Sequence, residues 1–339
     1  MIRDQQRASD TDLSQSAYDA ALAGVEDAKR ALVRFKQLPS SNSLSTLDLS
    51  ECNAISQILT GDTSGSEVAI GQSDLEQAYT CVKINTLTDD FIGSAQADRT
   101  QLVPLAAASQ FDRVKIEWFS RDDVPNSGVV DVPANGPSSD LPDSSTWVQN
   151  RPPVLETQLI QTHSSFNLSQ FDDTSGGRSN ANTLFLYPKQ LVSSPTRNFM
   201  SDTRRNSASS PIEARCETTL LSNLYACSTI IQLPAPVSGS AGSRSNAYLR
   251  LVPRYNSTHF KVTMLNGSNL VQFDGVQPTV DSTGRANDLF RRVSARIEAG
   301  ADTTAYPDAA VDIRGNFCKT FMVTDSTAGY FPGDCQPQE

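Results

Sequence analysis

The chain has 339 residues, 38% of them hydrophobic, with 28 basic and 38 acidic side chains and a net charge of −10. This polar, Ser/Thr/Asn/Asp-rich mix suits many short strands joined by polar loops; it excludes a helical bundle and is too apolar for a chain disordered throughout. The acid is concentrated in residues 37–150, which carry a net charge of −11, and there is no clustered Lys/Arg stripe of the kind that phosphate neutralisation needs, so a nucleic-acid partner is not expected.

In chain order, the first predicted element is a helix over residues 11–36, ended by Pro39. Leu13, Ala17, Ala20, Gly24, Ala28, Ala31, Leu32 and Phe35 recur at spacings of three and four, as one buried stripe requires. The early part of this stripe is made of Ala and Gly, which lets another backbone approach closely. That backbone could belong to the chain's own sheet or to a copy of the helix in a filament.

The segment Ser16-Ala17-Tyr18-Asp19-Ala20-Ala21-Leu22-Ala23-Gly24-Val25-Glu26-Asp27-Ala28 resembles the part of the first helix that follows the membrane-spanning half in PilX-type minor pilins and related pseudopilins. The match covers some 25 residues. It departs at Leu22, where the family often has Glu, and the family's processing motif is absent. The run Asn287-Asp288-Leu289-Phe290-Arg291-Arg292-Val293 resembles the last core strands of the same proteins.

The resemblance implies an α+β fold, a long N-terminal helix packed on antiparallel sheet. It implies a structural, non-enzymatic subunit of a type IV pilus or pseudopilus, displayed outside the cytoplasmic membrane for assembly and surface adhesion. The implied partners are other pilin subunits in a hetero-oligomeric filament and a host or cell-surface ligand. The implied assembly face is Leu13, Ala17, Ala20, Gly24, Ala28, Ala31 and Phe35. The alternative is a stand-alone secreted adhesin or carbohydrate-binding β-domain.

No apolar run approaches the roughly 18 residues that span a bilayer. Met1-Ile2-Arg3-Asp4 leads straight into polar sequence without a signal peptide. The expectation is therefore that an export or anchoring segment has been removed, and that membrane contact runs only through that missing helix.

The expected organisation is an assembly helix over 1–36, a first part of the β-region over 37–120, a Pro/Ser/Asp-rich loop or linker over 121–153, and a β-rich region with a C-terminal meander over 154–339. Alternating segments predict strands at Tyr79–Ile84, Val114–Trp118, Leu155–Ile160, Leu184–Tyr187, Thr229–Leu233, Ala247–Val252, Phe260–Met264 and Leu289–Ile297. Asn266-Gly267 predicts a hairpin turn returning through Leu270–Phe273.

Six cysteines fall in three sequence-local pairs, Cys52/Cys81, Cys216/Cys227 and Cys318/Cys335. About 15 pairings exist; the nearest-neighbour set needs the shortest loops and implies an oxidising compartment. The competing reading is six reduced, buried thiols. No Cys-x-x-Cys, Gly-x-Ser-x-Gly, His-Glu-x-x-His or phosphate-loop motif occurs, so no cofactor or catalytic site is expected. His163 and His259 are the two histidines. The run Asp172-Asp173-Thr174-Ser175 offers oxygen ligands without the spacing of an EF-hand loop, and no metal is assigned.

Overall fold

The computed structural model describes residues 2–36, 49–60, 67–70, 76–124, 129–136, 142–161, 181–191, 196–198, 212–220, 224–238 and 247–298. Two helices are present among them, α1 (Ile2–Lys36) and α2 (Ile55–Leu59). The first strands are β1 (Val68–Ala69), β2 (Ala78–Thr88), β3 (Phe91–Ala95), β4 (Gln101–Pro104) and β5 (Phe111–Ser120). There follow β6 (Val154–Gln161), β7 (Ala181–Gln190), β8 (Thr196–Asn198), β9 (Ile212–Cys216) and β10 (Tyr225–Val237). The last are β11 (Ala247–Arg254), β12 (Thr258–Asn266), β13 (Asn269–Val271), β14 (Phe273–Ala286) and β15 (Leu289–Arg296).

The expected α+β fold, organised by a long helix on antiparallel sheet as in pilins, is overturned. Among the described residues strand predominates, at 54%, most of it in a nearly closed barrel-like sheet. That sheet has 11 strands, nine of them along the path β13-β12-β5-β10-β9-β7-β6-β11-β4, with β3 joining β12 and β8 joining β10. The physical reason lies in the strands. Their inner faces carry large apolar side chains, and Phe111, Trp118, Phe260, Leu155, Leu159 and Leu249 are buried together in one core. A curled sheet encloses such a set by itself, with no need of a helix to cover it.

The curl is closed by the segment after β4. Leu105 N–H donates to Ala247 on one side, while Asp274 N–H donates to Ala106 and Ala108 N–H donates to Gln272 on the other. Ala107 and Phe273 form an antiparallel bridge at the same place.

A second sheet of 4 strands, in the order β1-β2-β14-β15, carries α1 on one face. The helix begins earlier than residue 11, at Ile2. Its stripe is buried against this sheet: Ala17, Ala20, Ala28 and Ala31 are 0% exposed. Gly24 lies beside Val82 and Ser282. Leu13 is half-buried, and the Phe35 side chain lies outside the described set. From Ala17 to Ala31 the face named from sequence is thus buried within the chain itself. Tyr18, Leu22 and Val33 are the large apolar side chains of α1 that remain exposed.

The barrel is inserted between β2 and β14. The chain leaves the small sheet after Thr88 and returns at Phe273, and these two residues are register partners. The expected C-terminal meander is also overturned. β11 pairs with β6 and β4, β12 pairs with β5, β3 and β13, and β15 pairs with β14 in the other sheet. The hairpin signal at Asn266-Gly267 produces the β12–β13 turn, with Asn266 opposite Asn269 and Gly267 at φ +61°.

Part of the segment 121–153 lies across the barrel. Tyr255 Oη donates to Pro142 O at 2.7 Å, and Asn256 Nδ2 donates to Val148 O at 2.9 Å and Arg151 O at 2.8 Å. Trp147 stacks on Tyr255 with ring centroids 4.5 Å apart.

Candidate functional site at the seam between sheet and barrel

The described polar side chains of most interest converge where the barrel meets the small sheet. Tyr225, the first residue of β10, pairs in register with Ser120 at the end of β5. Its ring lies 5.4 Å from the Lys261 ammonium of β12. Burial, and then the nearby carboxylates of Asp90, Glu117 and Asp123, push its phenol up to about 12 against an opposing effect of Arg296. The phenol is therefore a neutral hydroxyl at physiological pH.

Each of those carboxylates already has a partner. Glu117, 4% exposed, binds Lys115 at 2.8 Å and Lys261 at 2.9 Å. Burial alone would raise its carboxyl, but the two lysine hydrogen bonds outweigh burial and hold it below the usual range. Asp90 binds Arg296 of β15 at 2.6 Å.

Asp123 closes a short 3-10 turn, Arg121–Asp123, in a reciprocal cap with Ser120. Its Oδ2 accepts from Ser120 N at 2.7 Å and His259 N at 2.9 Å, and its Oδ1 meets His259 Nδ1 at 2.7 Å. A carboxylate on Nδ1 favours the tautomer that leaves Nε2 as an acceptor. The imidazole is 45% exposed. Ser94 of β3 is its cross-strand partner. The arrangement orients one imidazole and can accept or pass a proton; no hydrogen bond joins Ser94 to His259 among the described residues.

The seam is tightened by a side chain that copies a strand. Gln277 of β14, 4% exposed, lies in the stretch where β14 leaves the ladder with β2, between Asp274 and Thr279. Its Oε1 accepts from Ile92 N at 3.0 Å and its Nε2 donates to Ile92 O at 2.7 Å. Arg296 Nη1 adds hydrogen bonds to Asp90 O at 2.9 Å and Gln277 Oε1 at 3.3 Å.

Of the cysteines named from sequence, Cys52 is bonded to Cys81 and Cys216 to Cys227. The first pins the turn before α2 to β2 in the small sheet. The second joins directly paired residues of β9 and β10 in the barrel. These bonds fit an oxidising extracellular or periplasmic environment. Cys318 and Cys335, His163 and the run 172–175 lie outside the described residues.

Among the described residues no group of three or more His, Cys, Asp or Glu is placed to hold a metal, and no helix is long and apolar enough to cross a membrane. Sequence reasoning missed Tyr225, Gln277 and Arg296 as neighbours, because the contacts depend on where the barrel is inserted. Only the alternation of Lys115, Glu117 and Lys261 with apolar residues signalled an outward charged face.

No family model, curated protein or solved structure matches the chain.

Proposed function

We propose that the chain is a minor-pilin-like structural subunit of a type IV pilus or related filament, held at the membrane before assembly and then exposed at the cell surface. In this reading α1 is the assembling element and the barrel is the displayed one. Other pilin subunits are the partners of α1, and a host or cell-surface ligand is the partner of the barrel.

The observation that carries this is the direction of α1. Gly284 of β14 lies against Ala17, Ala20 and Ala21, whereas Ser282, nearer the barrel, lies against Gly24. The helix thus runs antiparallel to β14, and its start points away from the barrel. Arg291 Nη2 donates to Ser14 Oγ at 2.7 Å; at about 1.5 Å per residue, Ile2 lies roughly 18 Å further out. An assembling end and a displaying end are separated along one axis.

The remaining support is chemical. Tyr18, Leu22 and Val33 are exposed apolar side chains of α1, open to a neighbouring subunit in this reading. The disulfides suit exposure outside the cytoplasm. The resemblance in residues 16–28 points the same way.

The test is incorporation into filaments. In cells producing the full-length protein, the wild-type chain should sediment with filaments sheared from the surface. Leu22→Asp should move it to the unsedimented fraction while leaving its thermal unfolding unchanged. A wild-type chain found free in the medium and never with filaments would overturn the proposal. It would favour the second reading, a stand-alone secreted adhesin or carbohydrate-binding barrel, which the barrel's separate apolar core supports.

A further inference from the structure

We infer that the barrel and the helix-bearing sheet are built to move as one rigid body, with Gln277 and Arg296 as the clasp that fixes their relative direction. An inserted domain joined by two strands is free to hinge unless its junction is packed and hydrogen-bonded. Here the junction is both.

Strand β14 belongs to two cores at once. Phe273 and Val276 are buried in the barrel core, and Val280 is buried in the core under α1. A hinge in β14 would have to open at residues 274–278, where its ladder with β2 is interrupted. Gly275 has a positive φ of 66° there, the kind of residue that tolerates bending.

The clasp sits on that interruption. The Gln277 amide satisfies both the N–H and the C=O of Ile92, as a neighbouring strand would, so β3 of the barrel is tied to β14 where main-chain pairing fails. Arg296 reaches across from β15, the far strand of the small sheet, to the side chain and carbonyl of Asp90 at the barrel's entry. On the exit side, Gln272 Nε2 donates to Asp89 Oδ1 at 2.9 Å. Entry and exit strands are therefore bonded to each other and to the sheet. This inference rests on the junction alone and holds whether or not the chain enters a filament.

The experiment is amide exchange and ¹⁵N relaxation on the full chain. The wild type should show one rotational correlation time for amides of the barrel and of the small sheet, and a protected Ile92 amide. Gln277→Ala with Arg296→Ala should give two correlation times. It should also speed Ile92 exchange roughly tenfold, the loss expected when a buried hydrogen bond is removed.

Gln277→Glu supplies a control that survives if the double variant does not fold. The ionised carboxylate it introduces sets an oxygen against Ile92 O where the amide had a donor, and that repulsion turns it toward Arg296 and takes the acceptor away from Ile92 N. Ile92 exchange, corrected for the intrinsic pH effect, should therefore rise at neutral pH and fall back when that carboxylate is protonated. Two correlation times in the wild type, or Ile92 exchange unchanged in Gln277→Glu across that pH range, would overturn the inference.

Discussion

Gly284 is pressed against the backbone of Ala17: a Cβ at position 284 would lie 2.2 Å from the Ala17 carbonyl oxygen and 2.3 Å from Ala21 N. Neither atom can rotate away, so the contact sets the distance between α1 and the small sheet. Gly24, on the other side of the same interface, would place its Cβ 2.4 Å from Ser282 Oγ and 2.7 Å from Val82 Cγ2, both side-chain atoms with some freedom. Gly284→Ala should therefore destabilise by about 2–3 kcal/mol and Gly24→Ala by less. Urea denaturation of the two variants checks the order; equal costs would mean that the helix shifts freely over the sheet.

The two described disulfides differ in the length of chain they close. Cys52–Cys81 spans 29 residues and Cys216–Cys227 spans 11. On chain entropy their losses are about 3.6 and about 2.8 kcal/mol respectively. Paired Cys→Ser variants should follow that order in denaturant midpoints, with the second pair further buffered by the ladder between β9 and β10. A larger loss from the shorter loop would show that the barrel depends on its bond for strand pairing.

Glu117 separates two lysines on the barrel wall. Its folded carboxyl lies below its ordinary value, so its stabilising effect is present above the unfolded carboxylate pKa and is lost as pH falls through the folded one. Glu117→Gln should cost on the order of 2–3 kcal/mol at neutral pH, since it removes one member of a buried charge cluster. It should also weaken the fall in stability on acidification. Parallel acid limbs in variant and wild type would contradict the clamp.

Tyr225 acts at the other end of the pH scale. Its folded pKa, raised from 10.0 to about 12, means that the unfolded chain loses the proton first. The effect on stability is fully present below pH ~10 and declines as pH rises toward the folded value. Tyr79 is shifted in the same direction, by burial first and then by Asp27, whose Oδ2 accepts from its hydroxyl at 3.0 Å. Tyr225→Phe should flatten part of the alkaline decline measured by thermal unfolding between pH 9 and 12 (the range over which tyrosines titrate), leaving the Tyr79 part. An unchanged alkaline limb would place Tyr225 in free solvent.

Much of the local structure was legible and most of the assembly was not. Val114-Lys115-Ile116-Glu117-Trp118 and Phe260-Lys261-Val262-Thr263-Met264 alternate along strands that pair with each other, and the three-and-four spacing of Ala17, Ala20, Ala28 and Ala31 marks a buried helix face. Strand β14 was hidden because Asp274, Gly275, Pro278, Ser282 and Gly284 read as turn residues. Its small side chains under α1 are chosen by close packing rather than strand propensity, and Gly275 serves the break in the ladder. The barrel was hidden for a different reason. Its closure depends on pairings such as Tyr248 with Pro104 and Phe260 with Gly93, which join distant segments that carry no local signal. The helix signal is strong but does not set the fold class, since α1 covers only the smaller of the two sheets.

The most direct test of the display reading is immunogold electron microscopy of intact, unpermeabilised cells producing the full-length protein, using antibody raised against the purified chain and absorbed against a synthetic α1 peptide so that only reactivity outside the helix remains. The account predicts gold on surface filaments, with no increase after permeabilisation. Label confined to permeabilised cells, or scattered over the envelope with filaments bare, would contradict it.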